Sequence, residues 1–411
     1  MGRRALWRDA IWFGTIVAVT GQWIIAHAMN LPLEPPWTVL LPGLGIFGAA
    51  FLLSWGAELA ELELSQSLAL AFLALMAVLP EYAVDMYLAW TAAKDPSYIQ
   101  YAAANMTGAN RILIGFGWPV LLLCYWLKSR QRSIQLHAEQ RVELRALVLA
   151  TLYAFTIPLK GTFSLLDTVV LVGLFIAYLI HSSKAEHVTP EFHGPPARIA
   201  VFPKTLRRLA TLALFLLPGY TIFIAAEPFA DGLLHSARHL GIEEFVLIQW
   251  LAPLASESPE FIVAILFALR SKPGEGFGAL VSSKVNQWTL LIGMLPLVYA
   301  ISGGRLVPMP LDARQTEEVL LTVAQSLLAV VMLANWRFGV WEAVLLLSLF
   351  GSQLALTAPR IRMAYAVAYL CISAAYLMHP AYRRSFINLL TMGWRGRQGR
   401  SNGLEQGHAR T

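Results

Sequence analysis

The composition of this chain excludes an ordinary soluble protein. It has 411 residues, of which 57% are hydrophobic and only 14% are charged, whereas a soluble domain usually carries about 25% charged residues. The formal net charge of +6 does not indicate nucleic-acid binding, because Lys and Arg cluster in particular loops and so report membrane topology. The sequence therefore predicts an all-α polytopic membrane protein.

Apolar segments of the length that crosses the hydrocarbon core, about 20 residues each, follow one another along the whole chain. We predict twelve spans, at roughly 10–29, 38–57, 66–93, 98–127, 144–159, 163–181, 207–227, 245–269, 276–301, 316–334, 338–357 and 361–378. With twelve spans the basic loops fall on one side of the membrane. Both termini are therefore expected in the cytoplasm, and the membrane is expected to be the plasma (inner) membrane.

Two stretches of the chain resemble each other. Residues 79–90 read LPEYAVDMYLAW, and residues 258–269 read SPEFIVAILFAL. Each is followed by a short loop that contains proline and then by a polar, small-residue stretch with an apolar exit, at 105–120 and 279–298. We interpret this pattern as an internal repeat at a spacing of about 175–180 residues.

Each repeat comprises five predicted spans, so the two copies have opposite orientations in the membrane. This inverted plan is that of many secondary transporters, which bind their ions at the midplane between the repeats. The expected organisation is an extra N-terminal helix at 1–34, a first half at 35–182, a cytoplasmic linker at 183–206, a second half at 207–358, an extra C-terminal helix at 359–378 and a basic cytoplasmic tail at 379–411.

Carboxylates stand inside both of the repeated helices. Glu81 and Asp85 lie one turn apart on one face of the first helix, and Glu257 and Glu260 do the same on the second. A charge at the bilayer centre costs at least about 2.5–3.5 kcal/mol on insertion scales. These side chains are therefore expected to face a cavity, a partner or a bound ion.

A proline directly precedes a glutamate in each copy, at Pro80 and Pro259. A proline inside a helix removes the hydrogen bond to the carbonyl four residues earlier. The carbonyls of Met76 and Ala255 are therefore expected to be free as further cation ligands.

These motifs resemble the sodium/calcium exchanger family, within the calcium:cation antiporter superfamily. Each of the two repeats in that family pairs a Pro-Glu helix with a second helix of the form Gly-Asn-x-x-Gly-Ser-Asn. The matching residues are Pro80, Glu81, Asn105, Gly108 and Asn110 in the first copy and Pro259 and Glu260 in the second. The resemblance implies that Glu81 and Glu260 are the central ligands of the transported metal ion. Neutral oxygens are then expected from Asn105, Asn110 and Ser283.

The chain also departs from the family pattern. Lys284 stands where the second repeat should have asparagine, and Arg111 directly follows Asn110. Asp85 and Glu257 are additional carboxylates, which we include among the expected cation-binding residues. Because Ca²⁺ takes six to eight oxygen ligands, an ammonium in the site would repel it, and Lys284 and Arg111 are expected to be charge partners of the site. We therefore infer that a cation is exchanged for protons, with Na⁺ ranked ahead of Ca²⁺.

Other functions remain open at this level. Within transport, the alternative is exchange of Ca²⁺ for Na⁺. In another class are an intramembrane enzyme that uses paired carboxylates and a non-transporting relative. The chain has no HExxH, Gly-x-Ser-x-Gly or phosphate-loop motif, so we expect no enzyme. The expected partners are inorganic cations and the lipid bilayer, without nucleic acid, and no cofactor is expected besides transported Na⁺, Ca²⁺ or H⁺.

Overall fold

The protein is described from a computed structural model that covers residues 3–60, 62, 79–136, 140–182, 194–356 and 358–391. The described chain is almost entirely helical. Its helices are α1 (Arg3–Ala28), α2 (Trp37–Ala60), α3 (Leu79–Ala92), α4 (Ile99–Ile112), α5 (Trp118–Ser129), α6 (Arg141–Ala154), α7 (Thr156–Lys160), α8 (Leu165–Ser182), α9 (Pro195–Ile199), α10 (Lys204–Leu240), α11 (Glu244–Leu269), α12 (Pro273–Asn286), α13 (Ile292–Gly303), α14 (Ala313–Leu333), α15 (Val340–Ala355), α16 (Pro359–Met378) and α17 (Pro380–Thr391).

The prediction of an all-α polytopic membrane protein is confirmed. Ten of the twelve predicted spans correspond to helical segments that are long and apolar enough to cross a membrane. The predicted span at 338–357 corresponds to a shorter apolar helix, Val340–Leu354, and the predicted span at 66–93 is described only from residue 79 onward. The exact number of spans therefore stays a prediction. Met76, residues 183–193 of the predicted linker and the tail beyond residue 391 lie outside the described residues.

Helix α10 is much longer than the sequence predicted. It runs for 37 residues, from Lys204 to Leu240, whereas the predicted span ended at residue 227. The apolar run stops there because Asp231, His235 and Arg238 follow, but polar side chains do not end a helix that extends past the hydrocarbon core. The helix ends at Gly241, whose φ of +65° is a conformation that glycine adopts without strain.

Two π-helical turns interrupt the long helical segments that cross near the centre of the bundle. One turn, Leu113–Gly117, joins α4 to α5, and the other, Gln287–Leu291, joins α12 to α13. They begin at residues 113 and 287, which are 174 positions apart. Single π turns in helices often accompany functional sites, and both of these turns follow closely on the predicted ligand segments.

Two short antiparallel ladders join distant parts of the chain. Strand β1 (Ser133–Gln135) pairs with β4 (Arg337–Gly339), and β2 (Thr162–Phe163) pairs with β3 (Met309–Pro310). In each ladder one strand comes from the predicted first half and the other from the predicted second half. The ladders therefore fasten the two halves to each other.

Basic side chains mark one end of the bundle. One end, which we call the basic end, carries Lys128, Arg130 and Arg270, and the ammonium of Lys128 bonds the carbonyl of Leu269 there. At the opposite end, α3 and α13 finish side by side, since the Ser302 hydroxyl donates to the carbonyl of Trp90 at 2.7 Å.

Among the described residues, the buried apolar side chains form one large cluster and two small ones. The large cluster contains residues of most of the helices, including parts of α1, α2 and α10. A separate cluster joins α1, α2, α9 and α10 through residues such as Ile16, Phe51, Trp55, Ile199 and Leu214, and α11 packs against it through Ile262 and Val263. Helices α2 and α10 thus pack against each other and against α11, which carries part of the candidate site.

Candidate functional site

The four predicted carboxylates come together in the interior of the bundle. Glu81 and Asp85 on α3 and Glu257 on α11 are at most 2% exposed, and Glu260 on α11 is intermediate in exposure. Glu81 interacts electrostatically with each of the other three, and most strongly with Glu257. The two helices that carry the Pro-Glu motifs therefore present their carboxylates to the same place.

Neutral polar groups from the crossing helices complete this cluster. Asn105 on α4 lies beside Asp85, and Ser283 on α12 lies beside Glu260. Gln287, the first residue of the second π turn, lies beside Glu257. As an uncharged amide inside a membrane-length apolar segment, Gln287 is also a candidate from the sequence for a neutral oxygen.

Many oxygen atoms of the cluster have no hydrogen-bond partner among the described residues. They comprise both carboxylate oxygens of Glu81 and Asp85, Oε2 of Glu257, Oδ1 of Asn105 and Oγ of Ser283. Buried polar atoms without partners are rare in proteins because each one costs free energy. A concentration of such acceptors is the donor set that a hard cation prefers. No three Asp, Glu, His or Cys side chains among the described residues are arranged closely enough to form a preassembled metal centre.

Both prolines of α11 lie inside a continuous helix. Pro253 and Pro259 both fall within Glu244–Leu269, and a proline in this setting removes the backbone donor for the carbonyl four residues earlier. As predicted from the sequence, Pro259 has no N–H to donate to the carbonyl of Ala255. Its partner in the other repeat, Met76, is not described.

Lys284 points to an amide rather than to a carboxylate. Its Nζ donates to Oδ1 of Asn110 at 2.6 Å and lies 4.0 Å from the centre of the Trp288 ring. Trp288 is itself held by a hydrogen bond from Nε1 to Oγ1 of Thr151, at 3.1 Å. Glu81 is the carboxylate that acts on Lys284 electrostatically, but no described carboxylate oxygen lies within ion-pair distance of this ammonium. Lys284 and Asn110 stand 174 positions apart, the same spacing as the π turns.

Arg111 has a partner that was not predicted from the sequence. Its guanidinium lies 2.7 Å from Oε2 of Glu318 on α14, and it also lies over the ring of Trp250 at 4.8 Å. No described ion pair joins Arg111 to Asp85 or to the other carboxylates of the cluster. The signal for Glu318 was the pair of acidic residues, Glu317 and Glu318, inside the apolar segment 316–334.

The helices around the cluster approach each other at glycines. A side chain at Gly108 on α4 would meet the carbonyl oxygen of Gln249 on α11 at 1.7 Å, and one at Gly276 on α12 would meet the carbonyl oxygen of Ala264 on α11 at 2.4 Å. Small residues allow such close backbone contacts between helices in membranes. The position of α4 and α12 against α11, and hence of Asn105 and Ser283 near the carboxylates, depends on these glycines.

The sequence matches one known protein family over most of its length. The family model described as "Sodium/calcium exchanger protein" matches residues 35–184 and 210–358. No curated protein sequence matches the chain at a significant level.

Solved structures resemble the chain over most of its length. A crystal structure of the H⁺/Ca²⁺ exchanger CAX is 44% identical, with a TM-score of 0.90 over 93% of this chain and 96% of that chain. The Ca²⁺/H⁺ antiporter protein YfkE has a TM-score of 0.59 at 15% identity, over 90% of this chain and 100% of that chain. The sodium-calcium exchanger NCX_Mj has a TM-score of 0.53 at 18% identity, over 78% of this chain and 98% of that chain.

The last two of these structures share only the fold with the chain, because their sequence identity is low. The match to the family model and the 44% identity to an exchanger over nearly the whole chain agree with the motifs around Glu81 and Glu260. The chain belongs to the sodium/calcium exchanger family, within the calcium:cation antiporter superfamily, and is a secondary cation antiporter rather than an enzyme.

Proposed function

We propose that this antiporter exchanges Ca²⁺ for H⁺ at the cluster formed by Glu81, Asp85, Glu257 and Glu260. The observation that carries the proposal is the convergence of four carboxylates, of which Glu81, Asp85 and Glu257 are buried and have oxygens without a hydrogen-bond partner, and Glu260 is half-buried. The similarity to CAX, an H⁺/Ca²⁺ exchanger that is 44% identical over 93% of this chain, supports both the cation and the proton.

Charge neutrality explains why a cation and protons would compete for this cluster. Four ionised carboxylates carry four negative charges, and uncompensated charge in a membrane interior is costly. A divalent cation removes two of these charges by coordination, and protons remove them one at a time. The same oxygens cannot serve both at once, so binding of one favours release of the other.

The position of Lys284 is the reason for ranking Ca²⁺ ahead of Na⁺, which reverses the order inferred from the sequence. That order assumed an ammonium among the carboxylates, where it would repel a divalent ion. The ammonium instead bonds Asn110 and stacks on Trp288. In this arrangement it occupies one of the predicted neutral ligands, and it leaves the carboxylate oxygens to the transported ion.

The ligand set that we propose consists of Glu81 and Glu260 as central ligands, with Asp85, Glu257, Asn105 and Ser283 around them. Asn110 is then a partner of Lys284 that becomes a ligand only when the ammonium moves. Arg111 contributes through Glu318 rather than by touching the ion.

Alternating access would involve motion of α2 and α10 relative to the helices that carry the cluster. These two helices pack against each other in the cluster around Phe51, Trp55 and Leu214. At the opposite end of the bundle, the hydroxyls of Tyr87 on α3 and of Tyr98 both donate to Asp231 on α10 at 3.0 Å. These hydrogen bonds would hold that end closed and would have to break for access from it.

We further propose that the two halves, 35–182 and 207–358, form an inverted repeat, and that both termini are cytoplasmic in the plasma (inner) membrane. Two observations support the repeat. The two π turns begin 174 positions apart, which is also the separation of Asn110 and Lys284. Each β ladder pairs a strand of the first half with a strand of the second half. A hydrogen bond from the hydroxyl of Tyr382 on α17 to the carboxylate of Glu342 at the start of α15 keeps α17 at the basic end, and the excess of Lys and Arg marks the cytoplasmic side of a membrane protein.

The test uses purified protein in liposomes that contain a trapped pH dye, with an imposed proton gradient. Ca²⁺, Na⁺ and K⁺ are added in turn to the wild type, to Glu260→Gln and to Glu34→Gln, whose side chain lies in a loop. The proposal predicts proton movement on addition of Ca²⁺, loss of this signal in Glu260→Gln, and a normal signal in Glu34→Gln. Proton movement with Na⁺ alone would overturn the choice of Ca²⁺, and no response to any cation would overturn proton coupling.

A further inference from the structure

A second group of buried charges surrounds Arg111 on α4, and no described ion pair joins it to the carboxylate cluster. Arg111 is 2% exposed, and its partner Glu318 is 3% exposed. The carboxylate of Glu318 also accepts a hydrogen bond from Gln249 at 3.1 Å and lies 3.6 Å from the guanidinium of Arg362 on α16. Arg362 in turn bonds Glu317 at 3.0 Å. Positive and negative side chains therefore alternate along this group.

The charge of Arg111 cannot be removed by deprotonation, because a guanidinium stays protonated in proteins. Arg111 directly follows Asn110 in the chain. Given the dimensions of a helix and its side chains, the guanidinium of Arg111 lies roughly 10 Å from an ion bound in the carboxylate cluster. At that distance and an effective dielectric constant of about 20, one positive charge changes the affinity for a cation by about tenfold, and more for a divalent ion. An uncompensated Arg111 would therefore oppose cation binding.

Glu318 also has a link to α4 that does not pass through Arg111. Gln249 donates to Glu318 and, at 3.2 Å, to the hydroxyl of Thr107, which lies one turn before Arg111. Gln249 is the residue whose backbone carbonyl packs against Gly108. The carboxylate of Glu318 is thus held where α4 and α11 are in closest contact, beside the helix that carries the neutral ligands.

We propose that Glu318 is a positioning residue that sets the cation affinity of the carboxylate cluster by neutralising Arg111. This inference rests on the proposed function, since it concerns the affinity for the transported cation. Arg362, which lies in the helix beyond the residues that match the family model, holds Glu318 from the other side. The helix α16 therefore takes part in transport through this ion pair, although it contributes no ligand.

The test compares Arg111→Gln with Glu318→Gln in the liposome assay, by the Ca²⁺ concentration that gives half of the maximal proton flux. Removal of the positive charge should lower this concentration, and removal of the negative charge should raise it, each by at least about tenfold because Ca²⁺ is divalent. A role limited to holding the helices together would weaken both variants in the same direction. Shifts of the same sign would therefore overturn the proposal.

Two further variants make the result independent of folding. Arg111→Gln/Glu318→Gln removes both charges and should return the half-saturating concentration to within about threefold of the wild type. Asp9→Asn removes the partner of Arg198; because that pair joins α1 to α9, neither of which carries a member of this charge group, the half-saturating concentration should not change. An unrestored double variant, or an equal shift in Asp9→Asn, would contradict specific neutralisation of Arg111. If the wild type itself moves no protons with Ca²⁺, the proposed function fails instead.

Discussion

The close contact between α4 and α11 gives a prediction that can be worked out from distances. In Gly108→Ala, the added methyl group would lie 1.7 Å from the carbonyl oxygen of Gln249 and 2.7 Å from its carbon. Non-bonded heavy atoms prefer separations of about 3.5–4.0 Å, so the two helices would have to separate by about 2 Å. The obstacle is backbone, so no side-chain rotation relieves it.

Two opposing effects set the size of the change. Alanine is favoured over glycine in a helix by about 1 kcal/mol, whereas overpacking usually costs about 1–3 kcal/mol. With a backbone obstacle we expect the upper end of that range, and hence a net loss of about 2 kcal/mol. Separation of α4 from α11 would also move Asn105 on α4 away from Glu257 on α11, so Ca²⁺-driven proton flux should fall together with stability.

The assay is thermal unfolding of the purified protein in detergent, followed by proton flux in liposomes. The matched control is Gly173→Ala on α8, where an added methyl group would have no neighbour within 4 Å. This variant gains the helix propensity without the clash, so its midpoint should be equal to or above that of the wild type. A Gly108→Ala protein that is as stable as Gly173→Ala would refute the packing at this crossing.

Two other variants test single contacts. Asn110→Leu removes the acceptor of Lys284 and should destabilise the protein by about 3 kcal/mol, because a buried ammonium without a partner is costly. Adding Lys284→Met should recover most of that loss of stability. A double variant that recovers no stability would argue against the contact. Asp231→Asn weakens the hydrogen bonds from Tyr87 and Tyr98 that would hold the opposite end of the bundle closed. A cysteine introduced at that end should then react faster with a membrane-impermeant thiol reagent. An unchanged rate of labelling would contradict a closed end.

The sequence was sufficient for the class of protein and for the central carboxylates. Charged residues are so costly in a membrane interior that Glu81 and Glu260, each preceded by proline within an apolar segment, could be singled out without a structure. The match between the two Pro-Glu segments then identified the helices that meet. The structure agrees that these carboxylates lie together.

The direction in which the cationic side chains point could not be predicted. Lys284 and Arg111 are close in sequence to candidate ligands, and spacing alone made a carboxylate of the cluster the natural partner for each. The partner of Arg111 is Glu318, which lies far along the chain on α14, and the partner of Lys284 is the amide of Asn110. Such pairings depend on helix rotation and long-range packing, which periodicity does not fix.

The extension of α10 beyond the predicted span has a related reason. Hydropathy indicates how apolar a segment is, and it falls where Asp231 and Arg238 occur. The backbone nevertheless continues as a helix to Leu240 because the polar residues near its end find partners, such as the ion pair of Arg238 with Glu244.

Competition between calcium ions and protons for the same carboxylates is central to the proposed exchange. The most direct measurement is the number of protons released when Ca²⁺ binds to the purified protein in weakly buffered detergent solution. We predict the release of at least one proton for each Ca²⁺ bound by the wild type, and a smaller release with weaker binding in Glu81→Gln. Binding of Ca²⁺ without proton release, or a release that Glu81→Gln does not alter, would contradict this competition.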